Sequence, residues 1–356
     1  MYDHLEIKSY KGTYLVVFED NAFLRLNSNM QNNAHFIVDE KVAELYDKEL
    51  ENVLESPSLL RIKATEANKT LGKFTRYVEH LVSHGVRRGH TLVAIGGGII
   101  QDIVCFLSAT FLRGLSWQFY PSTLLAQADS CIGSKSSINV GRTKNILGTY
   151  TPPEKIFIDP LLLKTLEDRE IHSGIGEMLK VHAIDGPDSF DRIAFEYDQL
   201  TESPDVIQRF IRRSLEIKKR LIEIDEFDRG PRNVMNYGHS FGHAIESATR
   251  YRIPHGIAVS IGIDMANYAA WKLGSSTQDH FQRMHPVLRK NYRSYEKTSI
   301  PVTAFLAAIA KDKKNTDDRL RLILPDHEGR IRICKYEKNQ KFSRICKDYL
   351  MGERQK

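Results

Sequence analysis

Three histidines stand close together in the run Tyr237-Gly238-His239-Ser240-Phe241-Gly242-His243-Ala244-Ile245-Glu246 and the following Pro254-His255-Gly256. His239 and His243 are four residues apart, which puts both imidazoles on one face of a helix. His255 opens the next helical stretch. Imidazoles grouped among small residues suit either a metal or acid/base chemistry. The pair lacks the intervening glutamate of H-E-x-x-H, so zinc-protease chemistry is disfavoured. Glu177, in the apolar stretch GIGEMLKVHAI, is the outstanding candidate for a carboxylate ligand, because a glutamate buried there needs a partner.

A second group is Gly96-Gly97-Gly98, which ends the strand-like run TLVAI (91–95) and precedes a nearly all-apolar helical stretch. Glycines at a strand end let backbone N–H groups approach a phosphate, and the following helix N-terminus adds its positive dipole. The spacing is not the G-x-G-x-x-G of the standard dinucleotide fingerprint, and a tight strand-to-helix turn is the plainer alternative. Asp102 falls in the first helical turn, where the dipole favours a carboxylate. The third group, DSCIGSKSSINVGRTKN (129–145), packs Lys135, Arg142 and Lys144 among Gly, Ser and Asn without apolar periodicity. It reads as a loop, either a phosphate or polyol cradle or an ordinary solvated connection.

The elements around these groups follow from periodicity. Runs 13–18, 35–39, 91–95, 117–121 and 155–159 are strand-like, and 67–84 is helix-like. Apolar residues at 99, 100, 103, 104 and 107 keep helical period, with Gly114 as a C-terminal stop. Such alternation predicts a mostly parallel sheet carrying helices. From about residue 165 the segments 167–184, 204–224, 238–250, 256–273 and 301–313 read as helices, and only 320–325 reads as a strand. The expectation is an α/β domain over 1–165 and a mainly α-helical domain over 166–356.

The chain has 356 residues, of which 41% are hydrophobic and 27% charged. That composition excludes disorder and fibrous structure, and the length favours two domains. No run is long and apolar enough to span a membrane, and the first residues do not read as a signal peptide. Four cysteines without a C-x-x-C pair predict a reduced, cytoplasmic protein. The net charge of +6 resides in the segment from Lys311 onward. That segment lacks interleaved aromatic residues and any reader motif, so nucleic acid is not an expected partner.

Taken together, GGGIIQD, FLRG, PSTLLAQADS, GSKSSIN, TKN, SGIGEMLK, the DEFDRGPRNVMNYGHSFGHAIE block and PHG resemble the 3-dehydroquinate synthase branch of the sugar-phosphate cyclases. The likeness runs through residues 91–256 and more weakly through 35–70 and 305–325. It implies a Rossmann-like N-terminal domain, a helical C-terminal domain, NAD, and a divalent metal, zinc or cobalt. The implied metal ligands are Glu177, His239 and His255, with Lys180 one helical turn from Glu177. NAD would contact Gly97, Gly98, Ile99, Asp102, Ser122, Thr123, Lys144 and Thr165, with Asp39, Glu66 and Lys69 as weaker matches.

The implied substrate set is Asp129, Lys135, Asn145, Lys218, Arg232, Asn236, His243 and one of Lys313/Lys314. Arg113 corresponds to the arginine that the family lends across a homodimer interface. Asp228 and His243 match positions of proton acceptors, and Lys135 and Lys180 complete the catalytic group. In the implied reaction NAD⁺ oxidises a substrate hydroxyl, phosphate leaves, the ketone is reduced back, and the ring opens and closes by aldol addition.

The chain departs from the family pattern at Gln101 and Ser134, where glycine is usual, and at Asp228, where glutamate is usual. Ser173 and Lys41 match only some members or none. These departures bear on the substrate. A 3-deoxy-heptulosonate 7-phosphate is the first reading. Sister cyclases acting on an aminated heptulosonate, sedoheptulose 7-phosphate or glucose 6-phosphate come next, then a metal-dependent alcohol or glycerol-phosphate dehydrogenase.

Overall fold

The computed structural model describes residues 3–141, 143–311 and 319–355. Arg142, Lys313 and Lys314 lie outside the described residues. The chain forms two compact units, Met1–Leu166 with Lys218–Phe227, and Glu167–Ile217 with Asp228–Lys356.

The first unit contains, in chain order, β1 (Asp3–Ser9), β2 (Gly12–Phe18), α1 (Ala22–Ser28), β3 (Ala34–Asp39), α2 (Glu40–Leu45), α3 (Glu51–Leu54) and β4 (Leu60–Ile62). Then follow α4 (Leu71–Ser83), β5 (Thr91–Gly96), α5 (Gly98–Thr110), β6 (Ser116–Pro121), β7 (Lys135–Val140), β8 (Thr143–Tyr150) and β9 (Lys155–Ile158). Among the described residues, seven strands make one sheet in the order β1-β2-β9-β6-β5-β3-β4, parallel except for the β1–β2 hairpin. All six residues of β5 are buried, as a strand covered on both faces requires. From β3 the chain moves outward to β4, then crosses back to β5 and on to β6. The strand order therefore reverses between β3 and β5, and the crevice at their carboxyl ends is the usual ligand position of a doubly wound sheet.

The expected loop over 129–145 is overturned. Ala126–Ser130 is a π-helical turn, and β7 and β8 form an antiparallel hairpin with a bulge between Ile138 and Val140. No apolar alternation announces this hairpin because small polar residues build it. Ser136 Oγ pairs with Thr149 Oγ1 at 2.7 Å, and Ile138 is the fully buried apolar member of β7.

The second unit contains α6 (Asp168–Asp185), α7 (Pro187–Phe195), α8 (Gln199–Glu202) and α9 (Pro204–Ile224), whose last turns from Lys218 belong to the first unit. It continues with α10 (His239–Ala248), α11 (His255–Leu273), α12 (Gln278–Tyr292), α13 (Val302–Ala310), β10 (Arg319–Pro325), β11 (Ile331–Glu337) and α14 (Gln340–Met351). α11 is buried on every side from Gly256 to Ala270, the mark of a central helix. Its approach to α6 is close enough to exclude side chains. A Cβ at Gly176 would lie 2.1 Å from Gly256 O, and one at Gly256 would lie 1.8 Å from Ser173 O. Ser173 Oγ also accepts from Gly256 N at 2.9 Å, tying the first turn of α11 to α6.

Three expectations for this half are corrected. β11 is a second strand, paired with β10 in register Leu322↔Cys334; Arg332 and Lys335, one on each face, interrupt its apolar alternation. The helix expected over 301–313 ends at Ala310. Helices α12 and α14 went unread because Pro286 interrupts the first and Lys and Arg crowd the buried stripe of the second. No helix of the described residues is long and apolar enough to cross a membrane.

Candidate active site

The close α6–α11 contact brings Glu177 beside the first residue of α11. Glu177 is 2% exposed, and its Oε1 lies 3.2 Å from His255 Nε2 and 3.7 Å from His239 Nε2. Its Oε2 lies 2.6 Å from Nζ of Lys180, one helical turn on and also buried. One ligand nitrogen from each of His239, His243 and His255 lies within 4.8 Å of the others. Among the described residues, His243 thus joins the cluster as a further imidazole, on the α10 face that carries His239.

The outer hydrogen bonds fix the ring orientations. His239 Nδ1 faces Tyr237 O at 3.2 Å, so this nitrogen carries the proton and Nε2 keeps its lone pair toward Glu177. His255 Nδ1 faces Glu246 Oε2 at 3.2 Å. Sequence reading missed Glu246 as a functional residue, although a carboxylate one turn beyond an H-x-x-x-H pair is a signal for such an orienting role.

Burial holds the His239 imidazole well below its ordinary range. Burial acts the same way on His255, but the hydrogen bonds to Glu177 and Glu246 outweigh it and push the group up to about 10. Burial also opposes the charge of Glu177, yet Lys180 and the histidines hold its carboxyl well below the usual range. The cluster is a buried carboxylate ringed by imidazoles. One carboxylate and two or three imidazoles, with the second nitrogens of His239 and His255 engaged, match the donor set of a catalytic zinc or cobalt centre. The residues fit such an ion.

In the first unit the switch-point crevice gathers another part of the expected set. Asp39 ends β3 beside Gly96, where a Cβ would lie 3.2 Å from the Asp39 Cβ and 2.7 Å from Ile100 Cγ1. A Cβ on Gly97 would lie 3.0 Å from Thr123 Cγ2, and Ser122 N donates to Gly96 O at 3.0 Å. Beside the crevice, Asp102 accepts from Lys69 Nζ at 2.9 Å and from Ser137 N at 2.8 Å. Lys69 Nζ also donates to Asn145 Oδ1 at 2.9 Å, and Glu66 accepts from Asn139 Nδ2 at 2.7 Å. Burial raises the Asp102 carboxyl, against the opposing pull of Lys69 and Ser137. Ser137 and Asn139 were not singled out from the sequence; they belong to the hairpin that was read as a loop.

The remaining expected residues are distributed as follows. Lys218 is buried, with Nζ 2.6 Å from Asp129 Oδ1. Lys135 opens β7, and Lys144 and Asn145 lie on β8. Asn233 Nδ2 donates to Asp228 O at 2.9 Å, Asn236 Nδ2 donates to Asn233 O at 3.1 Å, and Arg232, the residue before Asn233, is 4% exposed. Asp228 has a φ of 54°, a strained value for a non-glycine residue. Thr165 Oγ1 pairs with Tyr46 Oη at 3.0 Å. Ile99 lies in the first turn of α5. Arg113 is not brought to the crevice: it is exposed and lies beyond the far end of α5, about 20 Å from Gly98 at the helical rise.

The comparisons with known proteins decide the family. The family model described as 3-dehydroquinate synthase N-terminal matches residues 59–173, and that described as 3-dehydroquinate synthase C-terminal matches residues 174–315. The chain belongs to the 3-dehydroquinate synthase family. It is 31% identical over 342 residues to the 3-dehydroquinate synthase of Thermoanaerobacter sp. (strain X514), covering 93% of this chain and 96% of that protein. It is 35% identical over 299 residues to the 3-dehydroquinate synthase of Cereibacter sphaeroides (strain ATCC 17029 / ATH 2.4.9), covering 81% of each.

Among solved structures, 2-epi-5-epi-valiolone synthase from Streptomyces hygroscopicus subsp. jinggangensis 5008, with NAD+ and Zn2+ bound, superposes with a TM-score of 0.81. That pair is 25% identical, covering 96% of this chain and 97% of the other. A 2-deoxy-scyllo-inosose synthase complexed with carbaglucose-6-phosphate, NAD+ and Co2+ gives a TM-score of 0.84 at 20% identity, covering 97% of this chain and 100% of that one.

Proposed function

We propose that this chain is a 3-dehydroquinate synthase, converting 3-deoxy-D-arabino-heptulosonate 7-phosphate to 3-dehydroquinate and phosphate. The observation that carries the reading is the convergence of Glu177, His239, His243 and His255 beside buried Lys180, in a chain of this family. We assign NAD to the crevice of residues 1–165, and the metal and substrate groups mainly to 166–356. The NAD+ and zinc or cobalt in the solved sister cyclases support those cofactors. Glu177, His239 and His255 would hold the metal, which when bound polarises a substrate oxygen, while NAD+ accepts a hydride and returns it.

The side chains then have defined work. Gly97 and Gly98 admit the nucleotide diphosphate to the N-terminus of α5, and Ile99, Asp102, Ser122, Thr123 and Thr165 complete the cofactor set with Asp39, Glu66, Lys69 and Lys144. Lys135, Lys218, Arg232 and one of Lys313/Lys314 bind the phosphate and carboxylate of the substrate, the guanidinium by paired hydrogen bonds. Asp129, Asn145 and Asn236 hold its hydroxyls. Asp228 and His243 accept protons, and Lys180 keeps Glu177 ionised.

Arg113 serves a second subunit in this reading, because its own crevice lies at the other end of α5. Arg113→Ala subunits mixed with subunits inactive at His255 should regain part of the wild-type rate. No regain under verified subunit exchange would put Arg113 outside catalysis in the partner.

The experiment that tests the function is an incubation with NAD⁺, a divalent metal and a panel of sugar phosphates. The expected result is stoichiometric phosphate release from the heptulosonate without net NADH. Faster turnover of sedoheptulose 7-phosphate or glucose 6-phosphate would make the chain a sister cyclase, and accumulation of NADH would make it a dehydrogenase.

A further inference from the structure

Gln101 lies in the first turn of α5 and is 6% exposed. It makes two hydrogen bonds to a single residue. Its Nε2 donates to Ser130 O at 2.6 Å, and Ser130 Oγ donates to its Oε1 at 2.6 Å. A main-chain carbonyl only accepts, so the amide nitrogen must face it and the oxygen must face the hydroxyl. The partners therefore fix the orientation of the amide.

Ser130 ends the π-helical turn Ala126–Ser130. Such a turn has an extra residue per hydrogen-bonded ring and often marks a functional site. The residue before it in sequence, Asp129, meets Lys218 twice: Nζ lies 2.6 Å from Oδ1 and donates to the Asp129 carbonyl at 2.6 Å. Asp129 and Lys218 are both buried, so small changes in the turn alter a pair that has little room to adjust. Next to Gln101, Asp102 holds Lys69 and the hairpin. Two consecutive residues of α5 thus tie the glycine-rich helix to the two segments that carry Asp129 and Asn145. A side chain at position 101 is needed for the first tie, which glycine there could not make.

We propose that Gln101 is a positioning residue for the substrate: by clasping Ser130 it sets the Asp129–Lys218 pair in the geometry that receives the sugar-acid phosphate. This rests on the proposed reaction. The test is Gln101→Met, which keeps the length of the side chain and deletes both hydrogen bonds, with Ser130→Ala and the double variant. In Gln101→Met the KM for the heptulosonate phosphate should rise about tenfold, while kcat and NAD⁺ dissociation, followed by fluorescence, change less than about twofold. The double variant should be no worse than Gln101→Met alone, as expected of two partners in one interaction. A purely structural role would lower Tm and the active fraction with KM unmoved. That outcome, or equal weakening of NAD⁺ and substrate, overturns the proposal.

If the wild-type protein turns over no heptulosonate phosphate, the reaction reading fails by itself. Deuterium uptake over 126–131 then decides whether the clasp holds this turn. Faster uptake in Gln101→Met with unchanged uptake over 91–100 supports it, and equal uptake in both proteins overturns it.

Discussion

The crevice of the first unit and the histidine cluster of the second handle charge in opposite ways. In the crevice, the carboxylate of Asp102 already has a full set of protein donors: Lys69 Nζ, Ser137 N and Ser137 Oγ. At the glycine triplet the groups that would meet the nucleotide diphosphate are backbone atoms, left approachable because Gly97 and Gly98 carry no side chains. In the cluster, Glu177 faces the imidazoles of His239 and His255, each held by an outer partner. The first site is complete as a scaffold and needs only space. The second is a carboxylate and imidazoles whose orientations are set by their outer hydrogen bonds. A helix N-terminus can be prepared by leaving atoms out, whereas a metal site must be prepared by orienting side chains.

That contrast can be broken or sharpened by experiment. The largest effect is expected at the cluster. His255→Ala should abolish stoichiometric zinc binding and turnover while circular dichroism stays at the wild-type value, and full metal content in the purified variant would remove His255 from the ligand set. Next is the backbone contact that assembles the cluster. Gly176→Ala puts a methyl 2.1 Å from Gly256 O, and should destabilise the fold by about 3 kcal/mol or more, the upper range for overpacking. Gly97→Ala meets the Thr123 side chain, its methyl at 3.0 Å and its hydroxyl at 3.4 Å; it should leave the midpoint of urea unfolding nearly unchanged and weaken NAD⁺ binding. Equal destabilisation by the two substitutions would erase the distinction between the sites.

A smaller effect should appear with pH. His182, on the same helix as Glu177, is lowered from 6.5 to about 4 by burial. The unfolded chain takes up this proton near pH 6.5, whereas the fold resists it until about pH 4. Stability from this group is therefore full above pH 6.5 and drains as pH falls toward 4, by about 2 kcal/mol at pH 5. His182→Gln should flatten the Tm profile between those values; an unaltered slope would show that His182 does not carry it. The smallest change is Glu246→Gln, which keeps an acceptor for His255 Nδ1 but removes its charge. Metal affinity should fall about tenfold, measured by competition with a chelator, and an unchanged affinity would leave Glu246 as a packing residue.

The sequence disclosed these two sites unequally. The glycine triplet is contiguous, and the strand and helix around it have strong apolar signals, so the crevice was readable in place. The histidines were readable because α10 brings residues four apart onto one face. Glu177 was named as their carboxylate partner from its apolar surroundings and from the family likeness, but the contact that brings it to them, Gly176 against Gly256, lets two backbones touch and carries no periodic signal. The β7–β8 hairpin was missed because polar pairs build it, Ser136 with Thr149 and Asn139 with Asn145 N, leaving little apolar pattern. β11, α12 and α14 went unread for related reasons, their buried stripes being narrow and interrupted by Lys, Arg or Pro286. The Gln101–Ser130 clasp joins residues 29 apart and could be seen only once the π-turn was placed.

The helix α9 begins in one unit and ends in the other, and residues Lys218–Phe227 complete the first unit. Within that unit Lys218 meets Asp129, and Glu226 accepts from Ser9 Oγ at 2.7 Å and Ser134 Oγ at 2.6 Å. On the ribosome, the sheet can form from residues that emerge early, but its acidic and basic partners emerge only after α6 to α8 have been synthesised. The nascent N-terminal unit must therefore wait for its last piece with Asp129 still lacking its lysine. An interval of that kind exposes a half-finished surface to chaperones, and it makes a cut of the gene after residue 166 a cut through the middle of a folding unit.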